Sequence, residues 1–372
     1  MITIVFSVLL LGSGLIVKRS RTLYILSILF LWVLMTFTYG NADEGVYLSR
    51  YTTPELWANN TEYLFSFLID VCRKLGLNFF AFKGVTAAIE ITLVGKTVWK
   101  LSKYPNVVLL FYFLSSFAYN VTQIRFALAS SVFIYSIQYL FKDNTTYKSH
   151  FFSSNELKYI VGVIIAAFIH TSAVIWLVLL IAKKRNIKTA VIFTIIFNIL
   201  IIFNISPSFI SDFLQGFGAE GRMTAYLSSA YQNSSFRTFG QLKLVLFAAI
   251  LEIIICAYIL KNKNYFENIN QIDLIFKMDI IILIIIGFIV KYTPEVYRLQ
   301  ESLFLINYII LMNAIPSDSF LKVKTKIPIF IIENFILILL IGLSYLELYS
   351  SSNFFSVWKP LFSNNLLFNS LL

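Results

Sequence analysis

Residues 191–205 read VIFTIIFNILIIFNI and residues 280–290 read IIILIIIGFIV, and neither stretch contains a charged side chain. Stretches this apolar cannot face water, whereas a helix of roughly 20 apolar residues crosses a bilayer. Charged residues make up 13% of the whole chain, about half their usual share in a soluble protein. Because backbone groups in a bilayer must pair within their own segment, the spans are predicted to be helices. The sequence therefore predicts an all-α polytopic membrane protein.

The apolar segments predict ten to twelve membrane helices in a single multi-pass domain covering residues 1–372, with no separate soluble domain. Its main outer loops are 40–61 and 206–238. Segment 62–75 is short and carries four charged residues, which is typical of a helix at the membrane surface. The candidate membrane helices cover residues 2–17, 22–39, 78–98, 105–121, 124–141, 157–182, 186–205, 239–260, 276–293, 298–315 and 327–348.

The net charge of +11 does not indicate nucleic-acid binding, because the basic residues form short clusters between apolar runs, as cytoplasmic loops do. The two cysteines, Cys72 and Cys256, lie far apart and provide neither a disulfide framework nor a metal-ligand spacing. The two histidines, His150 and His170, are also far apart and have no acid at ligand spacing, which argues against zinc. We therefore expect no cofactor, no metal and no nucleic-acid partner.

The basic clusters predict which helix ends lie in the cytoplasm. With the N-terminus outside, the clusters at 18–21, 96–103 and 142–148 lie inside, provided that segment 62–75 does not cross. The cluster at 183–188 then lands outside, against the positive-inside rule. Two topologies resolve this conflict.

In the first topology, segment 157–182 is a broken or re-entrant helix with its tip near His170, which returns the chain to the cytoplasm. Such a break is tolerated only where it lines a cavity in the protein. In the second topology, segment 62–75 is a true crossing, and the lysines at 96–103 and 142–148 lie outside. We prefer the first, because it keeps the lysine clusters inside.

In the preferred topology the inner loops are rich in lysine, whereas arginines collect at the outer helix ends. A guanidinium group grips phosphate oxygens in two places, which an ammonium group cannot do. An outward-facing site for phosphate or pyrophosphate would use this arrangement, and anchoring of helix ends at the headgroups is the alternative for any one arginine. The outer arginines are Arg50, Arg125, Arg222, Arg237 and Arg298.

The first outer loop reads YGNADEGVYLSRY over residues 39–51. Carboxylates accept hydrogen bonds from sugar hydroxyls and aromatic rings stack on sugar faces, so Asp43, Glu44, Tyr47 and Tyr51 are candidates for sugar recognition. A buried carboxylate can also serve as a general base, because burial raises its pKa towards neutrality. An ordinary polar loop with interfacial tyrosines is the alternative.

Four further residues are candidates for chemistry. Arg125 opens the stretch IRFALASS, and an arginine so near the membrane is costly unless it meets water, a partner or a ligand. His170 lies in an apolar segment and is a candidate base or phosphate-binding group, or else a satisfied polar residue between helices. Arg222 and Tyr226 lie in the second large outer loop near GFGAEGR, residues 216–222, which is a weak signal.

Arg298 begins a late helix, where Glu295 and Glu301 lie three residues away on either side and predict pairing along one face. Together these motifs resemble the EpsG-like branch of the Wzy-type polysaccharide polymerases. Two positions depart from the family pattern, since Phe126 follows Arg125 where glutamine is expected, and Ala42 separates Asn41 from Asp43. The matching pieces are the loop with Asp43, Tyr47 and Tyr51, the helix start at 124–129, the run from His170 to Ala173, and Arg298.

The resemblance implies a bacterial cytoplasmic-membrane enzyme with an architecture like that of C-type glycosyltransferases. Such an enzyme joins oligosaccharide repeat units carried on undecaprenyl pyrophosphate into capsule, O-antigen or exopolysaccharide, without a nucleotide sugar. Its partners would be the lipid-linked oligosaccharide, membrane lipids, a chain-length regulator and a repeat-unit flippase. A transporter or flippase is the leading alternative, and a membrane O-acyltransferase is disfavoured because no histidine precedes His150.

Under this resemblance, the arginines would stabilise charge on the departing pyrophosphate. Asp43, Glu44 and His170 compete for the role of base towards the acceptor hydroxyl. The residues expected to contact pyrophosphate or sugar are Arg50, Arg125, Arg222, Arg298, Tyr47, Tyr51 and Tyr226.

Overall fold

A computed structural model describes residues 2–57, 62–142, 152–203, 235–291, 294–316 and 354–370, with 332, 335, 336 and 338–343. Regular structure in these residues is helical apart from one isolated bridge between Thr38 and Asn365, which confirms the all-α prediction. The α-helices are α1 (Ile2–Phe6), α2 (Arg21–Phe37), α3 (Glu44–Thr52), α4 (Tyr63–Lys74), α5 (Phe79–Leu101), α6 (Pro105–Leu114), α7 (Phe117–Thr122), α8 (Ile124–Lys142), α9 (Ser154–Ile169), α10 (Leu180–Lys184), α11 (Ile187–Phe203), α12 (Ser235–Lys261), α13 (Ile269–Ile282), α14 (Ile285–Lys291), α15 (Arg298–Asn313), α16 (Lys359–Ser363) and α17 (Leu366–Asn369).

Shorter helical turns complete the architecture. Helix α1 continues as a π-turn and a 3₁₀ turn over Ser7–Leu15. The longest 3₁₀ segment, Thr171–Leu179, joins α9 to α10. Further turns cover Pro54–Trp57, Lys263–Tyr265, Pro294–Tyr297 and Phe354–Trp358.

Several described helices are apolar enough to enter a membrane. Ile124–Lys142 and Phe239–Lys261 are long and apolar enough to cross one by length and composition. Two predicted spans are each divided, 105–121 into α6 and α7, and 276–293 into parts of α13 and α14. Most of the predicted span 327–348 lies outside the described residues. The shorter apolar helices are Thr3–Leu15, Arg21–Phe37, Pro105–Leu114 and Ile187–Phe203.

Some helices expose aliphatic side chains although several acids are buried inside the bundle. Ile192 and Ile196 on the outer face of α11 are 56% and 52% exposed, whereas Glu90, Glu252 and Asp279 are at most 2% exposed. A surface helix of a soluble protein turns its polar face outward and its apolar face to the core. Aliphatic side chains outside and carboxylates inside are what a lipid environment favours.

The first long helices are antiparallel neighbours with defined starts. The Ser20 side chain accepts from the Leu23 amide at the beginning of α2, and Asn78 caps α5 in the same way. Such caps satisfy backbone donors that have no partner within the helix. The Tyr24 hydroxyl donates to the Gly95 carbonyl at 2.6 Å, which holds the start of α2 against the end of α5.

Three lysine contacts mark one end of the bundle. Lys100 donates to Gln138 at 2.9 Å, Lys183 donates to the Leu140 carbonyl at 2.8 Å, and Lys184 lies 3.2 Å from Glu156. We call this the lysine end. The opposite end, where α8 begins and α3 and α4 lie, is called the arginine end.

The predicted break at His170 is present. Helix α9 begins at the lysine end with a capping box between Ser153 and Glu156 and ends at Ile169, because His170 is extended with φ −147°. The chain then returns as 3₁₀ helix and α10, and Lys184 pairs with Glu156 beside the start of α9. The two arms form a hairpin that begins and ends at the lysine end.

Helix α4 lies across the arginine end. Arg50 and Tyr51 are consecutive residues of α3, and they hold opposite ends of α4. Arg50 donates to Glu62, just before α4, at 3.1 Å, and the Tyr51 hydroxyl donates to the Leu77 carbonyl, just after it, at 2.5 Å. Both ends of α4 therefore stay at the same end of the bundle, as expected for a surface helix.

Candidate functional site

The site is assembled from the ends of four elements at the arginine end. Arg50 lies in the last turn of α3, and Glu62 immediately precedes α4. Arg125 is the second residue of α8, which starts after a break at Gln123. His170 is the extended residue at the tip of the hairpin. We call Arg50, Glu62, Arg125 and His170 the Glu62 cluster.

The carboxylate of Glu62 is at the centre of this cluster. Its Oε2 accepts from Nη1 of Arg125 and from Nη1 of Arg50, the latter at 3.1 Å. Its Oε1 lies 3.4 Å from Nδ1 of His170. Nη2 of Arg50 also donates to Ser66 Oγ at 3.1 Å, which fixes the orientation of the guanidinium group. Three nitrogen-bearing groups therefore converge on one carboxylate.

Burial and charge oppose each other at Glu62. Burial alone would raise the pKa of its carboxyl group, but the charges of Arg125, His170 and Arg50 together outweigh burial and hold the pKa below its ordinary value. Two guanidinium groups and one carboxylate leave a net charge of +1, or +2 with a protonated imidazole. Among these four described side chains, positive charge exceeds negative charge, which suits a polyanion.

The cluster is accessible mainly from the side of His170. The His170 side chain is 22% exposed, whereas those of Arg50 and Arg125 are 2% and 8% exposed. Tyr63 and Phe168 flank this side with ring centroids 6.4 Å apart, and both rings are exposed. Exposed aromatic rings thus lie beside His170, the most exposed member of the cluster.

Aromatic rings line the remaining sides of the cluster. The Arg50 guanidinium lies 5.0 Å from the centroid of the Phe65 ring, and Phe126 meets the His170 ring edge to face at 5.6 Å. Such contacts stabilise cationic groups where water is excluded. They also restrict the side-chain rotamers, so the cluster is preorganised.

Tyr47 and Asp43 connect the first outer loop to the cluster. The Tyr47 hydroxyl accepts from the backbone amide of Arg125 at 3.4 Å. Burial raises the pKa of Tyr47, the charge of Arg125 lowers it, and the charges of Asp43 and Glu62 raise it further. The charge of Asp43 therefore acts on the same Tyr47 hydroxyl that contacts Arg125.

Glu44 and Tyr51 have other neighbours. Glu44 accepts from the Gly40 amide and lies 3.5 Å from Nζ of Lys83, which also donates to the Thr38 carbonyl. Tyr51 is bonded to the Leu77 carbonyl, and its ring is buried. In this structure both side chains hold the outer loop against the bundle.

Arg298 forms an ion pair with Glu295 at 2.5 Å, as the spacing predicted. Its helix, α15, is tied to the hairpin because the Trp176 indole donates to the Leu299 carbonyl at 3.3 Å. The predicted residues Arg222 and Tyr226 lie outside the described residues. Within the described part of the chain, no group of three or more His, Cys, Asp or Glu side chains is placed to hold a metal ion.

A family model of the EpsG family matches residues 21–359. The chain belongs to the EpsG family. The match covers nearly the whole chain, including every member of the Glu62 cluster, and supports assignment as a membrane protein of polysaccharide biosynthesis. Neither a comparison with proteins of curated function nor one with solved structures finds a match.

The sequence of this EpsG-family chain does not single out Glu62 or Lys83. Glu62 is one of four charges in the short segment 62–75, and Lys83 lies within the apolar span 78–98. A signal for Glu62 is present, since it is an acid placed directly between a polar loop and an amphipathic helix. Its three partners are distant in sequence, so only the fold reveals its central position.

Proposed function

We propose that this EpsG-family protein polymerises lipid-pyrophosphate-linked oligosaccharide repeat units on the outer side of the bacterial cytoplasmic membrane. The observation that carries the proposal is the Glu62 cluster. Its four side chains are largely buried and carry more positive than negative charge, and the cluster lies at the end of the bundle opposite Lys100, Lys183 and Lys184. In the reaction, the acceptor sugar hydroxyl bonds to the anomeric carbon of the donor, and the lipid pyrophosphate leaves with the electron pair.

The two arginines suit the leaving group. Negative charge builds up on the pyrophosphate oxygens as the glycosidic phosphate bond breaks, and preorganised donors stabilise that charge. Arg50 and Arg125 present their guanidinium groups side by side on the same carboxylate oxygen. Phosphate oxygens accept the same kind of charge-assisted hydrogen bond.

The surroundings of His170 suit an amphiphilic substrate. The polar approach at His170 lies next to the exposed rings of Tyr63 and Phe168. A lipid-linked sugar needs this combination, because its tail stays in the bilayer while its pyrophosphate reaches the charged site.

The placement of charge also supports the proposed multi-pass orientation. Lysines mark cytoplasmic loops by the positive-inside rule. The hairpin returns the chain to the lysine end, so the cluster at 183–188 shares a side with Lys100 and Lys142. The arginine end then faces outward, where repeat units are joined.

The proposal is tested with Arg125→Ala and Arg125→Lys in cells that lack the native gene. We expect both variants to lose polymer at normal protein levels. Alanine removes the charge, and lysine keeps the charge but lacks the paired donors of the planar guanidinium group. Loss of one such donor lowers turnover by about 10²–10³-fold. Arg21→Ala is the matched control, since Arg21 is an exposed arginine at the lysine end, and it should leave polymer unchanged.

The location of unpolymerised repeat units separates the proposal from a flippase. A polymerase defect leaves single units exposed outside the cell, whereas a flippase defect traps them inside. Polymer of normal length and amount in the Arg125→Ala cells would contradict the assignment, as would repeat units that accumulate only inside.

A further inference from the structure

We propose that Glu62 is the general base of the polymerisation reaction and that it is released for this role when the substrate pyrophosphate takes over its arginine partners. This inference rests on the proposed function, since it assigns a residue within the same site. In the structure, the Glu62 carboxylate occupies the position that the proposal gives to the anion.

The contacts at Glu62 show why the pyrophosphate competes for its partners. The Nη1 atoms of Arg50 and Arg125 both point at Oε2 of Glu62, which is an acceptor of the same type as a phosphate oxygen. Pyrophosphate carries more charge than one carboxylate and offers more acceptor oxygens, so it forms a larger number of charge-assisted hydrogen bonds. The arginines therefore have reason to exchange Glu62 for the substrate.

The exchange changes the basicity of Glu62. While Arg125, His170 and Arg50 surround it, the pKa of the carboxyl group stays below its ordinary value, and the carboxylate is a weak base. When their charge is neutralised by pyrophosphate, burial becomes the dominant influence and favours the protonated form. Glu62 then accepts a proton more readily at the moment when the donor is in place.

The reaction step balances with this assignment. The acceptor hydroxyl oxygen forms the new bond to the anomeric carbon of the donor, and its proton passes to a Glu62 oxygen. The bond from that carbon to the pyrophosphate oxygen breaks, and the electron pair leaves with the lipid pyrophosphate. The acceptor approaches from the side of His170, where the cluster is most exposed.

Glu62, just before α4, differs in position from the carboxylates of the first outer loop. Glu44 is engaged by Lys83 and by the Gly40 amide, away from the arginines. Asp43 is half-exposed and acts on the cluster through Tyr47. Glu62 is in direct contact with both guanidinium groups that would hold the leaving group.

The test measures pyrophosphate affinity and polymer formation in the same set of variants. Full-length protein in lipid nanodiscs is titrated with inorganic pyrophosphate, and polymer is measured in cells. For Glu62→Gln we expect pyrophosphate to bind about tenfold more tightly or better, because a competing charged acceptor is removed. The same variant should lose polymer, because an amide cannot accept the proton.

Two further variants complete the design. Glu62→Asp keeps the charge and the fold but shortens the reach by one methylene, so we expect near-native pyrophosphate affinity with reduced polymer. Glu55→Gln is the matched control, since Glu55 is an exposed acid of the same loop, and it should change neither measurement.

The outcomes are distinct. Polymer at the native level in Glu62→Gln or in Glu62→Asp would overturn the assignment of the base, as would weaker pyrophosphate binding by Glu62→Gln. The latter result would show that Glu62 only supports the arginines. Failure of the proposed function has another signature, in which native protein and Arg125→Ala bind pyrophosphate equally poorly.

Discussion

At the scale of single residues, Glu62 and its partners place several ionisable groups where water is scarce. Desolvation costs several kcal/mol for each buried ion, and hydrogen bonds and attraction recover it only when the geometry is good. Arg50 is almost fully buried, yet its guanidinium has two side-chain partners and an aromatic ring. Removal of the Glu62 carboxylate would leave Arg50 and Arg125 without their shared acceptor and its negative charge. The cluster is therefore sensitive to any change at Glu62.

The lowered pKa of Glu62 predicts a pH dependence of stability. A carboxyl group whose pKa is lower in the folded than in the unfolded protein stabilises the fold above the unfolded pKa, and this stabilisation is lost as the pH falls through the folded value. We therefore expect the melting temperature of the detergent-solubilised protein to fall as the pH is lowered below about 4.5. Glu62→Gln should show a shallower fall over the same range.

Thermal unfolding followed by circular dichroism at a series of pH values between neutral and acidic measures this difference. The remaining carboxylates titrate in both proteins and serve as the internal control. Identical slopes for native protein and Glu62→Gln would show that Glu62 gains no net favourable interaction on folding.

Two of the candidate residues predicted from the sequence, Arg125 and His170, lie in the Glu62 cluster. Arg125 and His170 stand out because charged and titratable groups are unusual beside apolar runs. Glu62 does not stand out, because acids are common in polar loops. Its contact with Arg125 spans 63 positions in the chain, so its role follows from tertiary structure.

At the scale of elements, the hairpin that carries His170 is fixed by close packing against α8. A Cβ atom added at Gly162 of α9 would lie 1.8 Å from Oγ and 2.5 Å from Cβ of Ser136. Small residues at helix contacts let backbones approach closely in membrane proteins. The position of His170 therefore depends on a glycine far from the site.

Gly162→Ala should lower the free energy of unfolding by about 1–3 kcal/mol, the usual cost of overpacking. Gly240→Ala in α12 is the control, because an added Cβ there meets nothing within 4 Å. The double variant Gly162→Ala with Ser136→Gly removes the clashing side chain and should recover most of the loss. Thermal unfolding in detergent measures all three, and equal stability of the two single variants would contradict the packing described.

The divided helices show what the sequence pattern does not contain. The predicted span 276–293 is interrupted between α13 and α14. Asn198 of α11 pairs with backbone groups on both sides of the interruption. Its side chain donates to the Leu283 carbonyl at 3.0 Å and accepts from the Gly287 amide at 2.6 Å. Hydropathy detects the apolar stretch, but it does not detect the side-chain amide of Asn198 that pairs with the backbone at the break.

At the scale of the whole molecule, the chain turns back at His170 and returns to Glu156 at the lysine end. The sequence predicts this break from the lysine clusters, and the sidedness of those clusters stays a prediction. The C-terminal segment adds a feature that was not predicted. It packs at the arginine end, where the Ala42 amide donates to the Ser356 carbonyl at 3.0 Å and the Tyr39 amide donates to the Asn364 carbonyl at 2.9 Å.

These hydrogen bonds hold the start of the first outer loop, which carries Asp43 and Tyr47, against the C-terminal segment. They join residues 356 and 364 to residues 42 and 39, so no local sequence pattern predicts them. The outer loop, the hairpin tip and the start of α8 thereby meet at one site, although they lie far apart in the sequence.

The most direct measurement of the central claim is polymerisation by the purified protein in proteoliposomes. Lipid-linked repeat units extracted from cells that lack the gene serve as substrate. The native protein should produce a ladder of oligomers that differ by one repeat unit and release lipid pyrophosphate, and Arg125→Ala should produce neither. Movement of intact repeat units across the bilayer by the native protein, without any ladder, would contradict the claim that the Glu62 cluster is the site of glycosyl transfer.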